Sequence, residues 1–156
     1  MTGSQEVDHE HSGLWDPAAS GVMRLPSGRF VRGRGLRRPL PDGPYPDFAV
    51  YLLDKQPPPV QWQARWLRWP DFSLPADPAQ LRLVLADALQ RSATQRVEFA
   101  CAGGHGRTGT ALACLAILDG VPSAEAVSFV REHYDPHAVE TAGQRVFISQ
   151  WSQQAG

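Results

Sequence analysis

Lys55 is the single lysine of this 156-residue chain, so arginine carries nearly all of its positive charge. Cysteine is almost as scarce, with Cys101 and Cys114 alone. Two cysteines cannot make a disulfide framework or, by themselves, a zinc site. Nor do the histidines have metal-ligand spacing: His9 and His11 lie in a polar stretch, while His133 and His137 flank Asp135-Pro136 in a connection. We therefore expect neither a bound metal nor a cofactor. No apolar run approaches the ~20 residues that cross a bilayer, so no membrane span is expected. Met1–Gly13 has no apolar core of the kind a secretory leader requires. A formal net charge of −1 gives no bulk electrostatic reason to expect a nucleic-acid partner. No internal repeat is visible. What remains, with 42% hydrophobic residues, is the composition of one ordinary globular domain long enough to bury a core.

Against that plain background, Cys101-Ala-Gly-Gly-His-Gly-Arg107-Thr-Gly-Thr110 stands out. It sets a thiol and a guanidinium six positions apart around a glycine-rich turn. Glycines can take positive φ and aim successive backbone N–H groups into one concavity, an anion nest. Thr108–Leu118 reads as a helix apolar on nearly all sides and hence buried. Its N-terminus would face the nest, where free N–H groups and the macrodipole favour a dianion. The planar fork of Arg107 can grip two phosphate oxygens. The same field favours the thiolate form of Cys101. Upstream, Arg96-Val-Glu-Phe-Ala-Cys101 alternates as a short strand that would deliver the cysteine to the sheet edge where α/β proteins bind ligands. A cysteine required as a free thiol argues for a reducing, cytoplasmic setting.

Cysteine, five residues, arginine, then threonine, with glycines inside the turn, resembles the signature loop of the cysteine-dependent protein tyrosine phosphatases and dual-specificity phosphatases. The resemblance implies Cys101 as nucleophile, a phosphate cradle built from Ala102, Gly103, Gly104, His105, Gly106 and Arg107, and Thr108 as the hydroxyl that eases the sulfur's departure. Thr108 also fits a helix N-cap. Trp69-Pro70-Asp71-Phe72, 30 residues before Cys101, is similar to the family's mobile loop, which makes Asp71 the general acid for the leaving group. Alone, a Pro-Asp pair is an ordinary turn; Asp77 and Asp54 are the alternative acids. Glu140-Thr141-Ala-Gly-Gln144-Arg145 resembles the family's water-positioning loop, and the role carries to Gln144. Glu140 occupies the place of a glutamine and would repel a phosphorylated intermediate. Gln144 could equally be an exposed residue of an amphipathic helix whose inner face is Val146, Phe147 and Trp151.

Two further departures matter. Ala100 stands where the family has a histidine, which leaves more of the task of holding the thiolate to Arg107, the helix dipole and the nest. His105 lies in the cradle where an apolar residue is usual; it either adds positive charge, as in phosphoinositide-directed relatives, or points to solvent. Arg24, Arg29, Arg32, Arg34, Arg37 and Arg38 form an acid-free stretch that reads as a solvated hairpin with its loop, or as a basic rim for phosphorylated substrates. Cys114, inside the buried helix, reads as a packed hydrophobe or as a thiol able to trap oxidised Cys101.

The chain order predicts a polar tail over 1–20 and a domain over 21–156. Its elements are a hairpin over 22–38 turning at Pro26-Ser-Gly28, strands at 48–54, 62–69 and 97–101, and helices from Asp77-Pro78 to about Ser92, 108–118, 122–133 and 141–153. Leu81, Leu83, Val84, Leu85 and Leu89 would line the first helix's inner face. Strand-then-helix order indicates an α/β fold, and the resemblance implies a central, mostly parallel sheet flanked by helices in the compact phosphatase arrangement. The activity that the resemblance implies is phosphomonoester hydrolysis through a cysteinyl-phosphate, by a protein tyrosine or dual-specificity phosphatase. A phosphotyrosine protein is the expected substrate, and the short chain leans toward the dual-specificity type. A phosphoinositide substrate, a non-catalytic phospho-residue module, and a sulfur-transfer or arsenate-reducing enzyme are the alternatives.

Overall fold

The computed structural model describes residues 14–152; His9, His11 and most of the segment expected to be a tail lie outside them. Five strands, β1 (Val22–Arg24), β2 (Phe30–Gly35), β3 (Phe48–Leu53), β4 (Gln63–Arg68) and β5 (Val97–Cys101), form one sheet in the order β1-β2-β5-β3-β4. Only the β1–β2 pair is antiparallel; β2, β5, β3 and β4 run parallel. The mostly parallel sheet flanked by helices therefore stands. β3 and β5 are buried on both faces, which is why FAVYLL and VEFAC are nearly continuous apolar runs rather than alternating ones. β5 occupies the middle, so Cys101 emerges from the C-terminal end of the central strand.

Among the described residues there are four α-helices: α1 (Pro78–Arg91), between β4 and β5, and then α2 (Gly106–Leu118), α3 (Ala126–His133) and α4 (Ala142–Ser149). α1 begins as its sequence predicts: the Asp77 side chain accepts from the Gln80 N–H, and Pro78 occupies the first turn, where its missing N–H costs nothing. Its buried stripe is Leu81, Val84, Leu85 and Ala88. Leu83, expected inside, is 72% exposed, because helical spacing from Leu81 selects positions three and four residues on. α2 is buried from Gly106 to Ile117 and packs against β5, α1, α3 and α4. It starts two residues earlier than the sequence suggested, which places Arg107 in its first turn. The expected 122–133 helix divides into a single 3₁₀ turn, Ser123–Glu125, and α3.

The opposite face of the sheet holds a small cluster of Ala49, Tyr51 and Ala100, with Leu36, Leu53 and Trp62 against it. Trp15 belongs to the stretch expected to be a polar tail, yet it is buried: its Nε1 donates to Val97 O (2.9 Å), and its ring stacks on Arg32. None of the described helices is long and apolar enough to cross a membrane.

Candidate active site

The end of β5, the loop after it and the first turn of α2 make a tight cradle. Gly104 takes φ +80, a conformation open to glycine, and its N–H donates to Cys101 Sγ at 3.1 Å. A Cβ there would lie 2.6 Å from Gly35 N, so the loop also presses on the end of β2. Cys101 is buried, and α2 presents its N-terminus to the same concavity with His105 at the cap and no side chain capping it. The unpaired N–H groups of that first turn are therefore available to an anion.

Arg107, 4% exposed, reaches back from α2 to the Trp69–Phe72 loop. Its Nη1 donates to Trp69 O at 3.1 Å, and Nη2 lies 3.4 Å from Asp71 Oδ1. That loop is anchored by Trp69, whose buried indole donates to Ser73 O (2.8 Å), and it bends through Phe72 at φ +56. Asp71 also accepts from the Phe72 N–H and remains 43% exposed. Thus Arg107, six residues after Cys101 in the same loop-to-helix turn, meets the Asp71 loop from far upstream in the sequence. Arg107 Nε and Thr108 Oγ1 are buried without a hydrogen-bond partner among the described residues. The alternative acids are engaged elsewhere: Asp77 caps α1, and Asp54 pairs with Arg68.

Gln144 is fully buried rather than exposed. Its Oε1 accepts from the backbone N–H groups of Glu140 (2.9 Å) and Thr141 (3.2 Å), completing a capping box for α4, while Nε2 donates to Ser73 O at 3.4 Å. It thereby ties α4 to the Trp69–Ser73 segment. Glu140 sends its carboxylate to Gly106, so close that a Cβ on Gly106 would overlap Oε1. Val146, expected to face inward on α4, is exposed, and Ile148 takes the inward place.

His105 does not point freely to solvent. Its Nε2 is 3.5 Å from Asp135 Oδ2, its ring meets that of His137 edge-on, and His137 Nδ1 lies 3.3 Å from the other oxygen of Asp135. Sequence reading set His137 aside, and nothing in its spacing from His105 signals the pairing. The arginine-rich stretch is only partly solvated. Arg32 and Arg34 both bind Glu98 within the sheet, Arg29 donates to Leu89 O, and Arg38 Nη2 donates to Gly103 O. Burial pushes the Cys114 thiol far up, so it stays protonated in the core, as a packed hydrophobe would. Among the described residues no three His, Cys, Asp or Glu side chains are grouped as metal ligands.

The chain matches the protein-tyrosine phosphatase family over residues 47–152. It is 32% identical over 125 residues to an uncharacterized protein of Methanocaldococcus jannaschii, an alignment covering 69% of this chain and 77% of that one. Among solved structures it is similar to Tk-PTP in the active form, with 26% identity, a TM-score of 0.61, and coverage of 70% of this chain and 80% of that chain. The Yvh1 phosphatase domain from Chaetomium thermophilum shares the fold at 17% identity, with a TM-score of 0.58 over 83% of this chain and 94% of the other.

Proposed function

Since the chain belongs to the protein-tyrosine phosphatase family, we propose that it hydrolyses phosphate monoesters through a cysteinyl-phosphate intermediate. The observation that carries this reading is the joining of the Cys101–Arg107 loop to Asp71. The Cys101 sulfur receives a backbone N–H at 3.1 Å, and at the far end of the same loop the buried Arg107 guanidinium holds both the carbonyl of Trp69 and the carboxylate of Asp71.

In the first step the Cys101 thiolate attacks phosphorus in line. Arg107 and the backbone N–H groups of residues 102–107 hold the non-bridging oxygens, whose charge grows in the transition state. The P–O bond breaks as Asp71 passes its proton to the leaving oxygen. In the second step water attacks phosphorus, its proton goes to the Asp71 carboxylate, and the S–P bond breaks to restore the thiolate. The Thr108 hydroxyl, buried without a hydrogen-bond partner among the described residues, would donate to the departing sulfur. Gln144 serves this cycle as a positioning residue, by bracing Ser73 and the turn at Glu140.

A phosphotyrosine protein is the favoured substrate class. Asp135 lies beside both His105 and His137, offsetting the positive charge that a phosphoinositide headgroup would draw on. The test is a panel of phosphotyrosine, phosphoserine and phosphothreonine peptides and phosphoinositides, with Cys101→Ser as control. Turnover of the phosphotyrosine peptide, lost in Cys101→Ser and lowered about 10²–10⁴-fold in Asp71→Asn, is the expected result. Binding without turnover would instead mark a phospho-residue module. Turnover indifferent to Asp71 would mark sulfur-transfer or arsenate chemistry.

A further inference from the structure

Every carbonyl of the cradle from Cys101 to Gly104 is tied back from behind. Cys101 O accepts from the Leu36 N–H at 2.9 Å and Ala102 O from the Arg37 N–H at 3.0 Å. Gly103 O accepts from Arg38 Nη2 at 3.3 Å, and Gly104 O from the Tyr134 hydroxyl at 2.6 Å. In a planar trans peptide the C=O and N–H point in opposite directions, so drawing a carbonyl outward aims the next residue's N–H into the concavity. With Gly103 O held, the Gly104 N–H reaches Cys101 Sγ at 3.1 Å. With Gly104 O held, the His105 N–H must turn the same way.

The ties from Leu36 and Arg37 are main-chain and independent of side-chain identity, and Arg38 is exposed. The tie from Tyr134 is different. It is the shortest of the four and comes from a side chain at the end of α3, 30 residues on in the sequence. The ring is seated on Gly33: a methyl group there would lie 2.5 Å from its Cε1 and Cζ. Burial first, and then the charge of Cys101, raises the pKa of Tyr134, so the hydroxyl keeps its proton and stays a donor. Asp135, the next residue, holds the His105 ring. Gly104, at φ +80, is the residue of this loop most free to rotate once released.

We propose that Tyr134 is a positioning residue, whose hydroxyl fixes the Gly104–His105 peptide so that the His105 N–H faces the bound oxyanion. This rests on the reading of the Cys101 loop as a phosphate site. Tyr134→Phe keeps the ring on Gly33 and removes only the hydroxyl. Calorimetric titration of Cys101→Ser and Cys101→Ser/Tyr134→Phe with tungstate, a tetrahedral oxyanion, should show about five- to tenfold weaker binding in the double variant. In the tungstate-bound form the His105 amide proton resonance should move upfield when the hydroxyl is lost, while α1 resonances stay in place. Gly33→Ala, which pushes the ring away, should weaken tungstate to the same degree, with little added by combining it with Tyr134→Phe. The proposal is overturned if Tyr134→Phe binds tungstate within about twofold of its parent, or if the two losses multiply as independent sites would. A Cys101→Ser parent that ignores tungstate, together with a wild type inert toward an aryl phosphate, would remove the phosphatase reading and this inference with it.

Discussion

Gln144 spends its amide oxygen on two backbone N–H groups, which exhausts the lone pairs of a carbonyl. Its Nε2 gives one N–H to Ser73 O and keeps a second, and it lies 3.4 Å from where a Cβ on Gly106 would sit, so the amide nitrogen still faces the cradle. Glu140 meets the same glycine: its carboxylate lies on Gly106 at the N-terminus of α2, where the helix dipole favours negative charge, and the residue is exposed. The Gln144 oxygen is spent on support, while its Nε2 and the Glu140 carboxylate both lie against Gly106, the carboxylate being the group set aside because it repels a phosphorylated intermediate. That repulsion is tolerable if a water molecule stands between. Glu140→Gln should therefore slow the second step, lowering steady-state kcat about 10- to 100-fold while leaving the pre-steady-state burst of released aryl alcohol intact. Rapid-quench measurement separates the two phases. An unchanged kcat, or loss of the burst, would show that Glu140 has no part in hydrolysis of the intermediate. Neither Tyr134 nor His137 was legible beforehand, because each reaches the cradle through tertiary packing and belongs to no spacing pattern around Cys101.

Among the elements, α1 separates structural from chemical use of a carboxylate. Asp77 has non-helical backbone, and its side chain accepts from Gln80 N at 3.1 Å, so it satisfies one of the donors orphaned at the helix start. Asp77→Ala should cost about 1 kcal/mol of stability, read as a lower denaturation midpoint with unchanged slope, and should leave kcat within about twofold. A large fall in turnover would return Asp77 to the list of acids. The same helix shows how far pattern reading extends. Its cap, its proline and its end at Ser92 were all readable locally, because each depends on residues within one turn. Leu83 and Val146 were misplaced, since hydrophobicity alone does not say which of several apolar residues falls on the buried stripe. β3 was legible as an unbroken apolar run and β5 as a short strand read from alternation, although it is buried on both faces. The start of α2 was not legible, because glycines at 103, 104 and 106 carry no helical signal although Gly106 is helical.

At the scale of the whole molecule, the arginine-rich stretch changes meaning. Sequence offers a solvated hairpin or a basic rim, and neither reading contains Glu98, because a lone carboxylate in a buried strand pairs only once strands 66 residues apart are laid side by side. Glu98 is 0% exposed; Arg32 Nε donates to it at 2.7 Å, while Arg34 donates through Nε at 3.0 Å and Nη2 at 3.1 Å. The Trp15 ring covers Arg32 with its centroid 4.0 Å from Cζ, keeping water off the network. Glu98→Gln would strand two guanidinium charges in the sheet. Such a broken buried network costs about 3–5 kcal/mol, a large share of the roughly 5–15 kcal/mol that holds a domain folded. Arg32→Met/Arg34→Met/Glu98→Leu should recover most of that loss, since apolar residues of similar volume carry no desolvation penalty. Urea unfolding of the two variants beside the parent makes the comparison; a Glu98→Gln protein within about 1 kcal/mol of the parent would mean that the charges are screened as at a surface. The register continues from Arg32↔Glu98 to Gly35↔Cys101, three residues farther along the same strand pair. Loosening the network should therefore also blur the backbone ties at Leu36 and Arg37, and turnover in Glu98→Gln should fall at temperatures well below its own unfolding midpoint.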